Sequence, residues 1–204
     1  MMAGLRLFGQ KGFEATSTRE IAAEAKANIG SIAYHFGGKE GLRTACAQHI
    51  VDTIRGVASA AVGLDDTTPL SQHEAETRIL EGVRRMVQFI IAGPEAGDFV
   101  QFILRELSSP GGALDTIYQG VFEPVHKRLC QLWAQATGED AESDQTRLAV
   151  FSMIGQVVYF RIGREAVLRR MGWSAYGSEE STRLTAVFTE NIRAALNTRR
   201  QGRP

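Results

Sequence analysis

Apolar residues recur along most of the chain at three- and four-residue intervals, separated by short stretches rich in Gly, Pro, Ser and Asp. That spacing gives each segment one apolar helical stripe, and it predicts an all-α protein. Leu5 and Phe8 start a face that ends at Lys11-Gly12, where the glycine can stop a helix. "STRE" (Ser17 to Glu20) is a capping box, opening a short helix that carries Ile21, Ala22 and Ala25. Asn28 can cap the next helix, which reaches only to Phe36 before "GGKEG" breaks it. From Lys39 a longer helix runs through Leu42, Cys46, Ile50 and Ile54 toward Val62.

After the loop "GLDDTTPL", Pro69 is placed to open a helix bearing Ile79, Leu80, Val83, Met86, Val87 and Ile90, closed by Gly93-Pro94. Asp98 is expected to cap "FVQFILREL", which ends in the segment Ser108-Ser109-Pro110-Gly111-Gly112. A helix over 114–136 contains Pro124, which should kink it or mark a boundary. Helices over 146–171 and 178–198 follow an acidic loop, "TGEDAESD". The pattern amounts to about nine helices, with no strand and no internal repeat.

Helical spacing also assigns faces within "NIGSIAYHF" (Asn28 to Phe36). Ile32 and Phe36 share the inner side with Ile29 nearby; Gly30 and Tyr34 lie opposite, flanked by Ser31, Ala33 and His35. A helical glycine costs roughly 1 kcal/mol relative to alanine. An outward glycine is therefore better explained by an external partner that approaches the backbone closely than by internal packing.

Composition narrows the picture. The 204 residues hold 23 Lys and Arg against 23 Asp and Glu, so no overall charge draws the protein to nucleic acid. Locally, residues 1–43 carry Arg6, Lys11, Arg19, Lys26, Lys39 and Arg43 against Glu14, Glu20, Glu24 and Glu40. The C-terminal Arg193, Arg199, Arg200 and Arg203 read as a short solvated basic tail. Cys46 and Cys130 stand far apart in helical patterns and are expected to be buried reduced thiols. No run approaches the ~20 apolar residues of a membrane span. A soluble, cytoplasmic protein without a membrane partner is expected.

No Ser/His/Asp arrangement, Gly-rich phosphate loop or paired-carboxylate signature points to an enzyme. Glu123 to His126 is an ExxH pair, but a di-iron bundle needs a second one and two further glutamates. No metal or cofactor is predicted. Two short helices joined by the tight "AKAN" turn, the second with a polar outer face, instead form a helix-turn-helix pattern. The second helix of such a pair enters the major groove, so its outer residues must be small or hydrogen-bonding. Many helical hairpins share that bare pattern.

The residues themselves are more specific. "AGLRLFGQKGFEATSTREIAAEAKANIGSIAYHFGGKEGL" resembles the N-terminal domain of TetR-family transcriptional regulators. The matching marks are Leu7-Phe8, Lys11-Gly12-Phe13, Thr16-Ser17, Ile21-Ala22, Gly30, His35-Phe36 and Lys39-Glu40. "YHFGGKEGL" with Asn28, "RELSSPGGALDTIYQGVFEPVH" and "GQVVYFRIGREAVLRRMGW" resemble the CecR-like (CerR) subgroup. The resemblance implies a helix-turn-helix DNA-binding domain over 1–45, with the motif at about 17–36. It implies a ligand-binding and dimerisation domain over 46–200.

Carried over position by position, the resemblance places Thr18 and Lys39 at phosphate contacts. Ala27, Asn28, Ile29, Gly30 and Ser31 fall at base-edge or backbone contacts, and Ala33, Tyr34 and His35 at further phosphate and base contacts. Arg19 joins them by exposure on the same helix end. Without the resemblance, Tyr34 and His35 read as ordinary surface residues and Thr18 as a helix-start residue. Several positions depart from the family pattern. Ala33 stands where Tyr or Asn is common, Ile29 replaces a frequent Lys, and Lys26 replaces the usual turn Gly. A left-handed Lys26 would cost on the order of 1 kcal/mol. The first helix begins at Met1, short of the family norm and without a basic arm, which suggests either a displaced start or a weakened phosphate grip.

In the second domain, Phe89, Phe99, Phe102, Ile103, Tyr118, Phe122, Met153 and Phe160 are candidates to line an apolar effector pocket, with Arg105, Gln156 and Arg161 supplying polarity. The same residues read equally as core. Arg105 is the least comfortable of them, since a buried guanidinium needs a partner. The last two long helices, with Gly155 and Gly163 on one and Leu184, Val187, Phe188, Ile192 and Leu196 on the other, are the expected homodimer interface. Their apolar residues could equally close the monomer core. The functional expectation is a homodimeric, effector-controlled repressor that binds a near-palindromic double-stranded DNA operator and an unknown small molecule. The alternative is a helical ligand-binding or scaffolding dimer with weakened DNA binding.

Overall fold

A computed structural model describes residues 1–109 and 111–201; Pro110 and 202–204, including Arg203 of the expected basic tail, lie outside the described residues. All regular structure among the described residues is helical. In chain order the helices are α1 (Met2–Lys11), α2 (Thr18–Glu24), α3 (Gly30–Phe36), α4 (Lys39–Val62), α5 (Gln72–Ile90), α6 (Ala96–Ser108), α7 (Gly112–Ile117), α8 (Glu123–Thr137), α9 (Asp144–Ile162), α10 (Arg164–Met171) and α11 (Ser178–Gln201). A π-helical segment, Tyr118–Phe122, joins α7 to α8.

The helix boundaries follow local chemistry. Gly12 ends α1 at φ 86°. Ser17 and Glu20 form the expected capping box on α2. The opening of α5 differs from expectation: Ser71 and Glu74, a second box of the same type, start it rather than Pro69. Likewise α6 begins at Ala96, and Asp98 sits within its first turn instead of capping it. The run expected over 146–171 divides at Gly163 into α9 and α10. Pro124 has no N–H to donate to the carbonyl of Gly120 four residues earlier. The π segment ends just before it, and Arg55 Nη1 donates to the Gly120 carbonyl oxygen at 3.4 Å.

Two compact units emerge. The first joins Met1–Arg55 with Glu95–Phe122, so the predicted helix-turn-helix segment packs together with α6, α7 and the π segment. Leu5, Phe8, Ile21, Leu42, Cys46, Ile50, Phe99, Phe102 and Ile117 are all at most 2% exposed and form its core. The rings of Phe8 and Phe102 meet edge-on at 6.5 Å. Two glycines permit this closeness: a Cβ at Gly9 would sit 3.0 Å from the Phe102 backbone N, and one at Gly4 would sit 2.9 Å from Leu42.

The second unit comprises Gly56–Pro94 and the chain from Glu123 onward. Ile79, Leu80, Val83, Leu132, Trp133, Val150, Val157, Phe188, Ile192 and Leu196 fill its core. The arginines near the C-terminus are not simply solvated. Arg200 donates to the Ala136 carbonyl oxygen at 2.8 Å and pairs with Glu76 at 2.8 Å, while Arg199 lies 3.5 Å from Glu139. They fasten α11 to α5 and to the end of α8. Cys46 and Cys130 are both buried and unpaired, and burial pushes their thiols up to about 12 and about 11.

Candidate nucleic-acid interface

The turn between α2 and α3 decides how α3 is presented. The Lys26 N–H bonds to the Ala23 carbonyl and the Ala27 N–H to the Ala22 carbonyl, at 3.1 and 2.9 Å. This bond pair is a Schellman motif with Lys26 at the left-handed position. Its φ is 51°, the one positive φ at a non-glycine residue among those described. Asn28 then accepts from the Gly30 N–H at 2.8 Å through Oδ1, capping α3 as its residue type suggests. Gly37, at φ 72°, closes the helix.

Packing of α3 leaves most of it bare. Ile32 is 7% exposed and anchors the helix, with Phe36 half-buried beside it. Ala27, Asn28, Ile29, Gly30, Ala33, Tyr34 and His35 are exposed, and Ser31 is half-buried. Tyr34 is the extreme case at 85%, its ring meeting its neighbour His35 edge-on, with centroids 4.8 Å apart. Ile29, expected near the inner face, is 49% exposed and belongs to the outer one. A Cβ at Gly30 would meet only the Asn28 Oδ1, at 3.3 Å. The interior therefore does not demand that glycine, although the Asn28 cap is tight against it.

Thr18 opens α2, half-buried, and Arg19 beside it is exposed. Part of the local positive charge is already engaged. Lys11 pairs with Glu20 at 2.9 Å, and Arg6 pairs with Glu24 at 2.6 Å. The hydrogen bond from Lys11, followed by those from Ser17, pulls the Glu20 carboxyl down to about 2. Lys39 is different. It starts α4 with its ammonium 4.1 Å above the Phe13 ring centroid, and no carboxylate lies within ion-pairing distance among the described residues.

The buried ion pair of this unit is one that sequence reasoning missed. Arg43 donates from Nε and Nη2 to the two oxygens of Glu106, at 2.9 and 2.7 Å, with both residues buried. That pairing raises the Arg43 pKa against the opposing effect of burial. A signal existed: Glu106 follows Phe99 and Phe102 in phase on the buried stripe of α6, where a lone carboxylate demands a partner. Arg105, singled out instead, is exposed and donates to the Gln10 carbonyl oxygen at 2.9 Å.

The candidate effector residues divide between the two units. Phe99, Phe102, Arg105, Tyr118 and Phe122 belong to the first, where Phe99 and Phe102 are core and Tyr118 is 52% exposed. Phe89, Met153, Gln156 and Phe160 belong to the second. There Met153 is buried, Phe160 packs edge-on against Phe188 at 5.1 Å, Phe89 is half-buried, and Gln156 accepts from Asn191 at 3.4 Å. The second unit also buries Arg128, 3% exposed. It donates to the Val62 carbonyl oxygen at 3.0 Å, while its Nη2 has no partner, and burial lowers its pKa.

Of the α11 residues named for a dimer interface, Leu184, Phe188, Ile192 and Leu196 are monomer core, and only Val187 is exposed, at 51%. The bare apolar stripe lies on α9, where Leu148, Phe151, Tyr159 and Ile162 are each more than half exposed. Gly155 lies on the same face, with nothing within 4 Å of where its Cβ would be.

A capped helix pair presenting a bare second helix is a helix-turn-helix DNA-binding module within an all-helical chain. Comparison with known proteins places it further. Residues 1–46 match the model described as "Bacterial regulatory proteins, tetR family", and residues 75–199 match the C-terminal domain of the HTH-type transcriptional dual regulator CecR. CecR of Shigella flexneri is 36% identical over 194 residues, covering 93% of this chain and 86% of that protein. The HTH-type transcriptional regulatory protein RaaS of Mycobacterium tuberculosis is 30% identical over 195 residues, covering 94% and 84%. Among solved structures, AibR in complex with isovaleryl coenzyme A and operator DNA has the same fold, with a TM-score of 0.67 at 17% identity and 92% coverage of each chain. The chain belongs to the TetR family of transcriptional regulators. No described helix is long and apolar enough to cross a membrane.

Proposed function

We propose that the protein is a cytoplasmic, effector-controlled repressor that binds a near-palindromic DNA operator as a homodimer. The observation that carries the reading is the outer face of α3, on which Asn28, Ile29, Gly30, Ala33 and Tyr34 stand exposed while Ile32 holds the helix to its unit. Residues 1–45 form the DNA-reading part. Thr18, Arg19, Ala27, Ser31, His35 and Lys39 complete the contact set. Ile29 offers a methyl-rich surface to thymine. Residues 46–200 supply effector binding and dimerisation. The exposed α9 stripe of Leu148, Phe151, Tyr159 and Ile162 supports pairing of two copies through the last two long helices. A dimer would set two α3 helices in successive major grooves, about 34 Å apart.

The effector reading draws on the second unit, whose Phe89, Met153 and Phe160 are apolar and whose Gln156 supplies a polar contact. The operator and effector bound in the AibR structure support the same division of labour. The test selects duplexes from a random-sequence pool and measures the affinity of Tyr34→Ala for the winners. The expected result is a palindromic consensus that Tyr34→Ala binds at least about tenfold more weakly, with an unchanged melting temperature, since Tyr34 makes almost no internal contact. A chain that selects no consensus is the ligand-binding or scaffolding dimer instead, and an unaffected Tyr34→Ala removes that side chain from recognition.

A further inference from the structure

Lys39 and Arg43 lie one helical turn apart at the start of α4 and share a single ring. The Lys39 ammonium is 4.1 Å and the Arg43 guanidinium carbon 4.7 Å from the Phe13 centroid. Behind Arg43 stands Glu106 of α6, its side chain 3% exposed, gripping the guanidinium with both oxygens. Gly111, just beyond α6, closes the other side: a Cβ there would overlap the Arg43 Nη2. The guanidinium plane is thus fixed by a two-point fork, an aromatic ring and a glycine backbone. Glu40 adds a peripheral contact to it at 3.8 Å.

Stability alone is a poor reason for such an arrangement. A buried ion pair is generally no more stabilising than well-packed apolar residues of the same volume. What the fork supplies is geometry, because only a guanidinium matches a carboxylate in two parallel bonds. The geometry fixes two things: the direction of the first turns of α4, and the ring over which Lys39 must lie. With Arg43 held from behind, its guanidinium keeps one place at the Phe13 ring, 4.7 Å from the centroid, and the Lys39 ammonium keeps another at 4.1 Å. With Arg43 released, the two cations compete for one ring and for the same solvent.

We propose that the Arg43–Glu106 pair positions Lys39 to grip a DNA phosphate, with Glu106 acting through Arg43 and Phe13 rather than touching DNA. This assignment rests on the reading of Lys39 as a phosphate contact. Two consequences separate it from a purely structural role. Breaking the fork removes the Lys39 contribution to binding. Replacing the pair by apolar residues restores folding without restoring that contribution.

The experiment uses the whole chain and a duplex selected from a random-sequence pool by the unmutated protein. Binding is measured across a salt series for Lys39→Met, Glu106→Gln, Arg43→Lys, the double variant Glu106→Gln/Lys39→Met, and the apolar pair Arg43→Met/Glu106→Leu. Removing one phosphate-binding cation lowers the slope of log K against log salt by about 0.9. Lys39→Met is expected to show that drop in each half-site. Glu106→Gln and Arg43→Lys are expected to show it too, and adding Lys39→Met to Glu106→Gln should lower the slope no further. Arg43→Met/Glu106→Leu should melt at or above the parent temperature and still keep the reduced slope. If Lys39→Met leaves the slope unchanged, the phosphate reading of Lys39 fails and the proposal falls with it. If Lys39→Met lowers the slope while Glu106→Gln shifts only the melting temperature, or the apolar pair recovers the full slope, the pair is structural and the proposal alone is overturned.

Discussion

Phe151 gives the sharpest test of the proposal that two copies pair through α9. Its ring stacks on His126 with centroids 4.0 Å apart and an interplanar angle of 29°, yet 60% of the residue is exposed. An aromatic side chain offers roughly 200 Å² to burial, so about 120 Å² of this one, 60% of the total, faces outward. At about 25 cal/mol per Å² that surface represents about 3 kcal/mol per ring and about 6 kcal/mol for a symmetric pair. Phe151→Gln retains part of the area through its aliphatic stem, and the general cost of association cancels between parent and variant. The expected penalty is about 3 kcal/mol per dimer, or more than about a hundredfold in dissociation constant. Within one protomer only the His126 stack disappears, about 0.5–1.5 kcal/mol. Sedimentation equilibrium across a range of concentrations reads the first effect, and denaturant unfolding at concentrations where the protein is monomeric reads the second. A dissociation constant equal to the parent's would show that the α9 stripe is not the interface.

Three further outcomes follow from the geometry. Lys26→Gly should stabilise the chain by about 0.5–1 kcal/mol in denaturant unfolding, because relief of the left-handed strain exceeds the added freedom of the unfolded glycine; a drop in stability would mean that the Lys26 side chain contributes more than its backbone costs. Glu20→Gln keeps the capping-box geometry but removes a carboxyl held near 2. The folded-state pKa lies below the ordinary 4.5, so the stabilisation from ionised Glu20 is complete above that value and disappears as the pH falls from 4.5 toward 2. Thermal melts should therefore show a shallower acid loss in that window for the variant, and parallel curves would contradict the assignment. Gly120→Ala would place a methyl 2.6 Å from a Val51 methyl and should cost about 1–3 kcal/mol; adding Val51→Ala should recover part of that in the same melts, and no recovery would locate the strain elsewhere.

The sequence by itself settled what is local. The capping box at Ser17–Glu20, the Asn28 cap and the stop at Gly12 each depend on residues within a few positions of one another, and each stands in the structure as the residue types require; the left-handed Lys26 was expected only if its turn kept the geometry of the family's usual glycine, and its φ is positive. The outward direction of Gly30 and Tyr34 was legible for the same reason, since one buried residue, Ile32, fixes the rotation of a short helix.

Tertiary structure decided which apolar stripe faces what. Helical periodicity shows that Phe99 and Phe102 are buried but not against which neighbour; they turn out to pack with the α1 side of the first unit. The same limit explains α11, whose apolar stripe closes the monomer while the bare one lies on α9. Arg43 and Glu106 are 63 residues apart, and no spacing rule links them. Only the packing of α6 beside α4 brings a carboxylate to that guanidinium. An ion pair at such a separation has no signature in the chain beyond one charged residue in phase with each buried stripe.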